Sequence, residues 1–139
     1  MALSADALYT RRGSAKPHNE FGYQVAPGEK IYRGALIGVN ASSLIVRLQD
    51  SEVAFIGLAD RQFDNSTSSA PSAISVVGLK GTWQITVPSA APANIGAPVY
   101  ASDDATVTLT QNGSAPFLPQ IGTLVGIENG NTFVAIAGS

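Results

Sequence analysis

"QIGTLVGIENGNTFVAIAG", residues 120–138, decides the fold class. Two apolar runs flank Asn129-Gly130. A two-residue hairpin loop of type I′ needs positive φ at both central positions, and Asn-Gly meets that demand at low steric cost. The stretch therefore predicts two antiparallel strands, and the turn sets their register. Ile127 should face Thr132, Val125 should face Val134, and Thr123 should face Ile136. On the other face Phe133 should lie opposite Gly126, with its ring covering the glycine.

The same pattern recurs upstream. "EFGYQV" (20–25) alternates Phe21, Tyr23 and Val25 on one side, and "APGEK" (26–30) turns at Pro27-Gly28. "GALIGVN" (34–40) and "SLIVRLQD" (43–50) are apolar and β-branched, separated by "NASS". "EVAFIGLAD" (52–60) is another such run, whose glycine marks a bulge or a close approach. "RQFDNSTSSAPSA" (61–73) reads as a long polar loop. "ISVVGLKG" (74–81) and "TWQITVP" (82–88) form the next pair, with Trp83, Ile85 and Val87 alternating against Thr82, Gln84 and Thr86. "NIGAPVYASDDATVTLT" (94–110) holds a strand with Val99 and Tyr100, then a corner, then a strand with Ala105, Val107 and Leu109 on one face. No stretch of this body carries a capped helical period. Many short strands punctuated by Gly, Pro and Asn predict an all-β fold, a small β-barrel or β-sandwich.

Residues 1–19, "MALSADALYTRRGSAKPHN", are of another kind. They are polar and small, with Leu3, Leu8 and Tyr9 as isolated anchors, and they end in residues that interrupt regular structure. They predict a mostly extended N-terminal arm, ordered where something holds it. Residues 20–139 then form a single β-rich domain, the size of one core.

Composition narrows the function. Only 13% of the 139 residues are charged, about half the usual share, and the net charge is −2. Bulk charge attracts no nucleic acid, and a surface of Ser, Thr, Asn, Ala and Gly is cheap to desolvate against other protein. Arg11, Arg12, Lys16, Lys30 and Arg33 all precede residue 34, which predicts an arm that meets an acidic partner surface. The absence of cysteine excludes disulfides and thiolate metal sites. No signal-peptide core or membrane-length apolar run is present, so synthesis in the cytoplasm and no membrane partner are expected.

Candidate chemistry is sparse. His18, the sole histidine, has no ligand partner in its polar segment. Asp103 and Asp104 could bind calcium or act as acid and base, yet neighbours on a strand point to opposite faces and the calcium-loop spacing is missing. They read as a turn. Asn40-Ala41-Ser42 matches a glycosylation triplet common by chance. No serine nucleophile motif, phosphate-binding glycine loop or interleaved basic-aromatic strand occurs. The expectation is no enzyme, no cofactor and no metal.

The order of the features adds information. "GALIGVN", "VAFIGLADRQFDNS", "VVGLKGTWQITVP", "NIGAPVYASDDATVTLT", "IGTLVGIENGN" and "TFVAIAG" follow one another in a series that resembles the head decoration, or capsid cement, proteins of tailed bacteriophages. The resemblance spans roughly residues 20–137 and rests on the series rather than on any one motif. It implies a β-rich structural protein without catalytic residues, often trimeric, bound to the outer surface of the assembled head. It implies the major capsid protein and other copies of itself as partners, and stabilisation of the capsid against internal genome pressure. The arm residues Leu3, Leu8, Tyr9, Arg11 and Arg12 are then the expected contacts to the capsid or to a neighbouring subunit. Two alternatives stand beside this. One is another virion component, a head-fibre base or tail protein. The other is a carbohydrate-binding β domain using Tyr9, Tyr32 or Trp83 as a stacking platform.

Overall fold

The computed structural model describes residues 3–6, 20–48, 53–115 and 117–136. The strands run β1 (Gly22–Gln24), β2 (Lys30–Ile31), β3 (Leu36–Val39), β4 (Ile45–Arg47), β5 (Ala54–Ala59), β6 (Phe63–Asp64) and β7 (Ser75–Leu79). They continue as β8 (Gly81–Gln84), β9 (Pro98–Ala101), β10 (Val107–Thr108), β11 (Gln120–Glu128) and β12 (Asn131–Ile136). A single 3-10 turn at Pro92–Asn94 is the one helical element among the described residues. The fold is all-β, as the turn-punctuated sequence predicts.

The hairpin forms where Asn-Gly requires it. Asn129 and Gly130 take φ of 53° and 80°, and Ile127 pairs with Thr132 and Gly126 with Phe133. Beyond that point the expected register fails. A β-bulge lies between Leu124 and Gly126, so Leu124, not Val125, faces Val134, and Thr123 faces Ala135 instead of Ile136. The reason is energetic. Leu124 is fully buried while Val125 is 45% exposed, and extruding one residue lets the larger side chain take the inward position. The ring-over-glycine arrangement is absent as well: a Cβ built on Gly126 would meet nothing within 4 Å.

Two five-stranded sheets organise the chain. The first has the order β1-β7-β5-β3-β4 and the second β10-β9-β11-β12-β8, all antiparallel. The first sheet curls. Past the end of β1, Val25 forms a parallel bridge to Ile45 of β4, and the Ala26 amide donates to the Ile45 carbonyl at 2.9 Å. The two edges of that sheet thus meet. Gly57, at φ 135°, sits in the bulge that lets β5 bend past β3. A Cβ there would lie 2.5 Å from the Leu79 carbonyl oxygen, so the bend requires glycine.

Strand alternation then builds two cores back to back. Leu36 and Leu58 project from the curled sheet onto the second sheet, where they join Trp83, Ile85, Val87, Val99, Leu124, Val134 and Ile136. Their chain neighbours Ile37 and Ala59 point the other way, into the hollow of the curl, with Val25, Ile31, Ile45 and Val76. Tyr23 and Phe63 pack on this inner cluster. The barrel and sandwich expectations each describe one part of the molecule: a curled sheet, and the sandwich it makes with a second sheet.

The stretch 61–73 is more structured than a polar loop. Phe63–Asp64 form β6 and pair with β2. Asn65 and Ser72 are buried. The Asn65 side-chain amide donates to the carbonyls of Val25, Ala26 and Ala70 at 3.0–3.2 Å, and Ser72 Oγ accepts from the Val25 amide at 2.8 Å. These residues satisfy backbone groups that the curl leaves without ladder partners. Composition alone does not separate such buried polar staples from solvated loop residues.

Candidate functional site

The aspartate pair at the β9–β10 corner divides into two roles. Asp103 Oδ1 accepts from the amides of Ala105 and Thr106, both at 2.8 Å, which is the expected local turn. Partial burial pushes the Asp103 carboxyl up, but the hydrogen bonds outweigh it and hold the group below its ordinary value. Asp104 differs. It is 1% exposed. Its carbonyl accepts from the Leu36 amide at 2.9 Å, tying the corner to the curled sheet. Its Oδ1 accepts from the Leu3 amide at 3.0 Å, and its Oδ2 has no hydrogen-bond partner among the described residues. Burial raises the Asp104 carboxyl, against the opposing pull of the Leu3 amide and of Arg47. Arg47 itself pairs with Glu29, Nε to Oε2 at 3.3 Å.

Asp104 thus anchors the arm. The Leu3 side chain packs against the inner core, and the Arg33 amide donates to Asp6 Oδ1 at 2.9 Å. Where the chain re-enters the body, Glu20 Oε2 accepts from the Lys80 amide at 2.6 Å. Residues 7–19 therefore connect two points fixed on the body. Of the expected arm contacts, Leu3 meets its own domain. Leu8, Tyr9, Arg11 and Arg12 lie outside the described residues, as does His18. The sequence reading missed Asp6 and Asp104 as anchors. The only signal for them was an isolated apolar residue followed by an acid, which is too short to stand out.

The two aspartates do not converge on a substrate position. Among the described residues no three His, Cys, Asp or Glu side chains group as metal ligands, and no helix is long and apolar enough to cross a membrane. Asn40 shapes a corner, its Oδ1 accepting from the amides of Ser42 and Leu44 at 2.9 and 3.1 Å. Trp83 is buried, with Nε1 donating to the Lys80 carbonyl at 3.1 Å. It therefore offers no face for sugar stacking.

What remains is surface. Glu128 is the one charged residue within the strands of the second sheet. Two shallow depressions lie at its hairpin end, one of about 410 Å³ beside Val125, Gly126 and Phe133, the other of about 220 Å³ beside Gln84, Thr86 and Asn131. Both are open and lined largely by uncharged residues, a character that suits protein contact better than capture of a charged metabolite. No family model, curated protein or solved structure matches the chain.

Proposed function

We propose that this chain is a virion structural protein, a decoration or cement protein that binds the outer surface of an assembled phage head. It bridges neighbouring capsomers and stabilises the capsid against genome pressure. Its partners are the major capsid protein and other copies of itself, grouped as a trimer on the capsid. The observation that carries the proposal is the anchored arm. Leu3, Asp6 and Glu20 fasten the chain on either side of residues 7–19, so the segment with Tyr9, Arg11 and Arg12 starts and ends at fixed positions on a rigid β body. A segment held at both ends loses less conformational freedom on binding than a free tail. The nearly charge-free second sheet adds surface whose contacts are little affected by salt. Several moderate contacts per oligomer then suffice for high occupancy.

The test is co-sedimentation of purified protein with expanded heads of the phage that encodes it. The wild type should saturate the heads. The triple variant Tyr9→Ser, Arg11→Ser, Arg12→Ser, which keeps the Leu3 and Asp6 anchors, should lose at least about tenfold in apparent affinity while melting at the wild-type temperature. Full decoration by this variant would remove the arm from the binding surface. No sedimentation of the wild type would overturn the function itself.

A further inference from the structure

The second sheet ends in two unlike edges. β10 is two residues long, too short to template another strand. β8 continues in extended register beyond Gln84, since the Ile85 amide donates to the Thr132 carbonyl at 3.1 Å and the Val87 amide to Thr132 Oγ1 at 3.0 Å. These bonds turn the amides and carbonyls of Trp83 and Ile85 toward β12. By alternation those of Thr82, Gln84 and Thr86 point outward, and among the described residues no strand pairs with that edge. Thr86 is exposed, and Thr82 and Gln84 are partly so. Natural edges are usually blunted by lysine, proline, a bulge or a covering element. Residues 81–87, "GTWQITV", contain no charge and no proline, and no bulge interrupts the pairing of β8 with β12.

We propose that the β8 edge pairs with β8 of a second copy about a two-fold axis at Gln84, joining two second sheets into one. The outward residues read Thr82-x-Gln84-x-Thr86, which is the same in both directions. Antiparallel pairing centred on Gln84 sets Gln84 beside its own copy and Thr82 beside the copy's Thr86 on both sides of the axis. Every outward amide meets an outward carbonyl, and the cross-strand pairs are Thr–Thr and Gln–Gln, which carry no repulsion. The same register sets Lys80 opposite Pro88, so the two lysines lie at opposite ends of the contact, and proline, having no amide, stops the ladder there. Such a contact is isologous. It differs from the head-to-tail contact of a trimer and would link one oligomer to the next. It does not depend on the decoration reading, because it should form in the isolated protein.

Cysteine placement gives the test, in a chain that has no cysteine of its own. In the predicted register, paired residues have Cα atoms about 5.5 Å apart, within disulfide range. Under mild oxidation Gln84→Cys should form a covalent dimer. Thr82→Cys alone should not, since its copy lies four residues away along the strand, and the double variant Thr82→Cys, Thr86→Cys should. Sedimentation velocity supplies a second readout. Gln84→Lys, which places two ammonium groups on the axis, should shift a wild-type dimer to monomer, and an equimolar mixture with Gln84→Glu should restore the dimer. Circular dichroism matching the wild type checks that each variant is folded. A monomeric wild type, a dimer indifferent to Gln84→Lys, or equal crosslinking by Thr82→Cys and Gln84→Cys would overturn the proposal.

Discussion

The two sheets solve the problem of the β edge in opposite ways. The curled sheet brings its own ends together at Val25 and Ile45 and fills its hollow with side chains including Leu3 and Phe63. The ion pair Arg47–Glu29 involves its strand β4, and Lys30–Asp64 joins the separate β2–β6 pair. The second sheet has one charge in its strands, Glu128, as the curled sheet has only Arg47, and among the described residues no strand pairs with its β8 edge. The first sheet is closed on itself, and the arm is held between it and the second sheet, with Leu3 packed on the inner cluster and its amide on Asp104 at the β9–β10 corner. The difference lies in the edges and not in the polar groups. Among the described residues each half buries two polar side chains, Asn65 and Ser72 beside the curl and Asp104 and Thr132 in the second sheet, but only the curled sheet bridges its own ends.

The largest effects should come from the layer the two halves share. Leu58→Ala and Ile37→Ala each remove a fully buried side chain, from the outer and inner faces of the curled sheet. Each should cost about 2–5 kcal/mol in urea unfolding. Trp83 fluorescence reports on the inter-sheet core, and circular dichroism reports on both. The transitions should coincide in both variants. An Ile37→Ala protein whose dichroism falls before its fluorescence would show that the curl melts alone.

A smaller effect separates the adjacent aspartates by sign. Asp103 is held below the ordinary carboxylate value of 3.8. Its contribution is present above that value and is lost as pH falls through the depressed one. Asp103→Ala should cost about 1 kcal/mol at neutral pH, as loss of a cap does, and less in acid. Asp104 is raised above 3.8. The folded state holds its proton to higher pH than the unfolded chain, so its contribution is greatest below 3.8 and is lost as pH rises through the raised value. Asp104→Asn should therefore gain on the wild type as pH rises through that window. Thermal melts at a series of pH values would show the two difference curves with opposite slopes, and parallel slopes would refute the separate roles.

The smallest effect tests the bulge. Val125→Ser should change stability by no more than about 0.5 kcal/mol, because the side chain is largely in solvent. Had the unbulged register held, the same change would remove a core contact with Val134 and cost several times more.

Much of this was legible in the sequence, and the reasons for the misses are physical. Asn129-Gly130 fixed its hairpin because few residue pairs accept two positive φ angles. Alternation in 82–87 located the buried row Trp83, Ile85 and Val87. The bulge escaped because Leu124 and Val125 are adjacent and both apolar, so period-two counting fits either one inward. Asp104 and Asn65 escaped because burial of a polar side chain depends on which distant backbone groups need a partner. The closure of the first sheet arises from contacts between residues far apart in the chain, and local pattern does not record these.

The decoration account is tested most directly by electron microscopy of expanded and unexpanded heads mixed with the purified wild-type protein. The account predicts added density repeated over the whole outer surface of expanded heads, with little on unexpanded ones. Density confined to the tail or to a single vertex, or bare heads of both kinds at saturating protein, would contradict it.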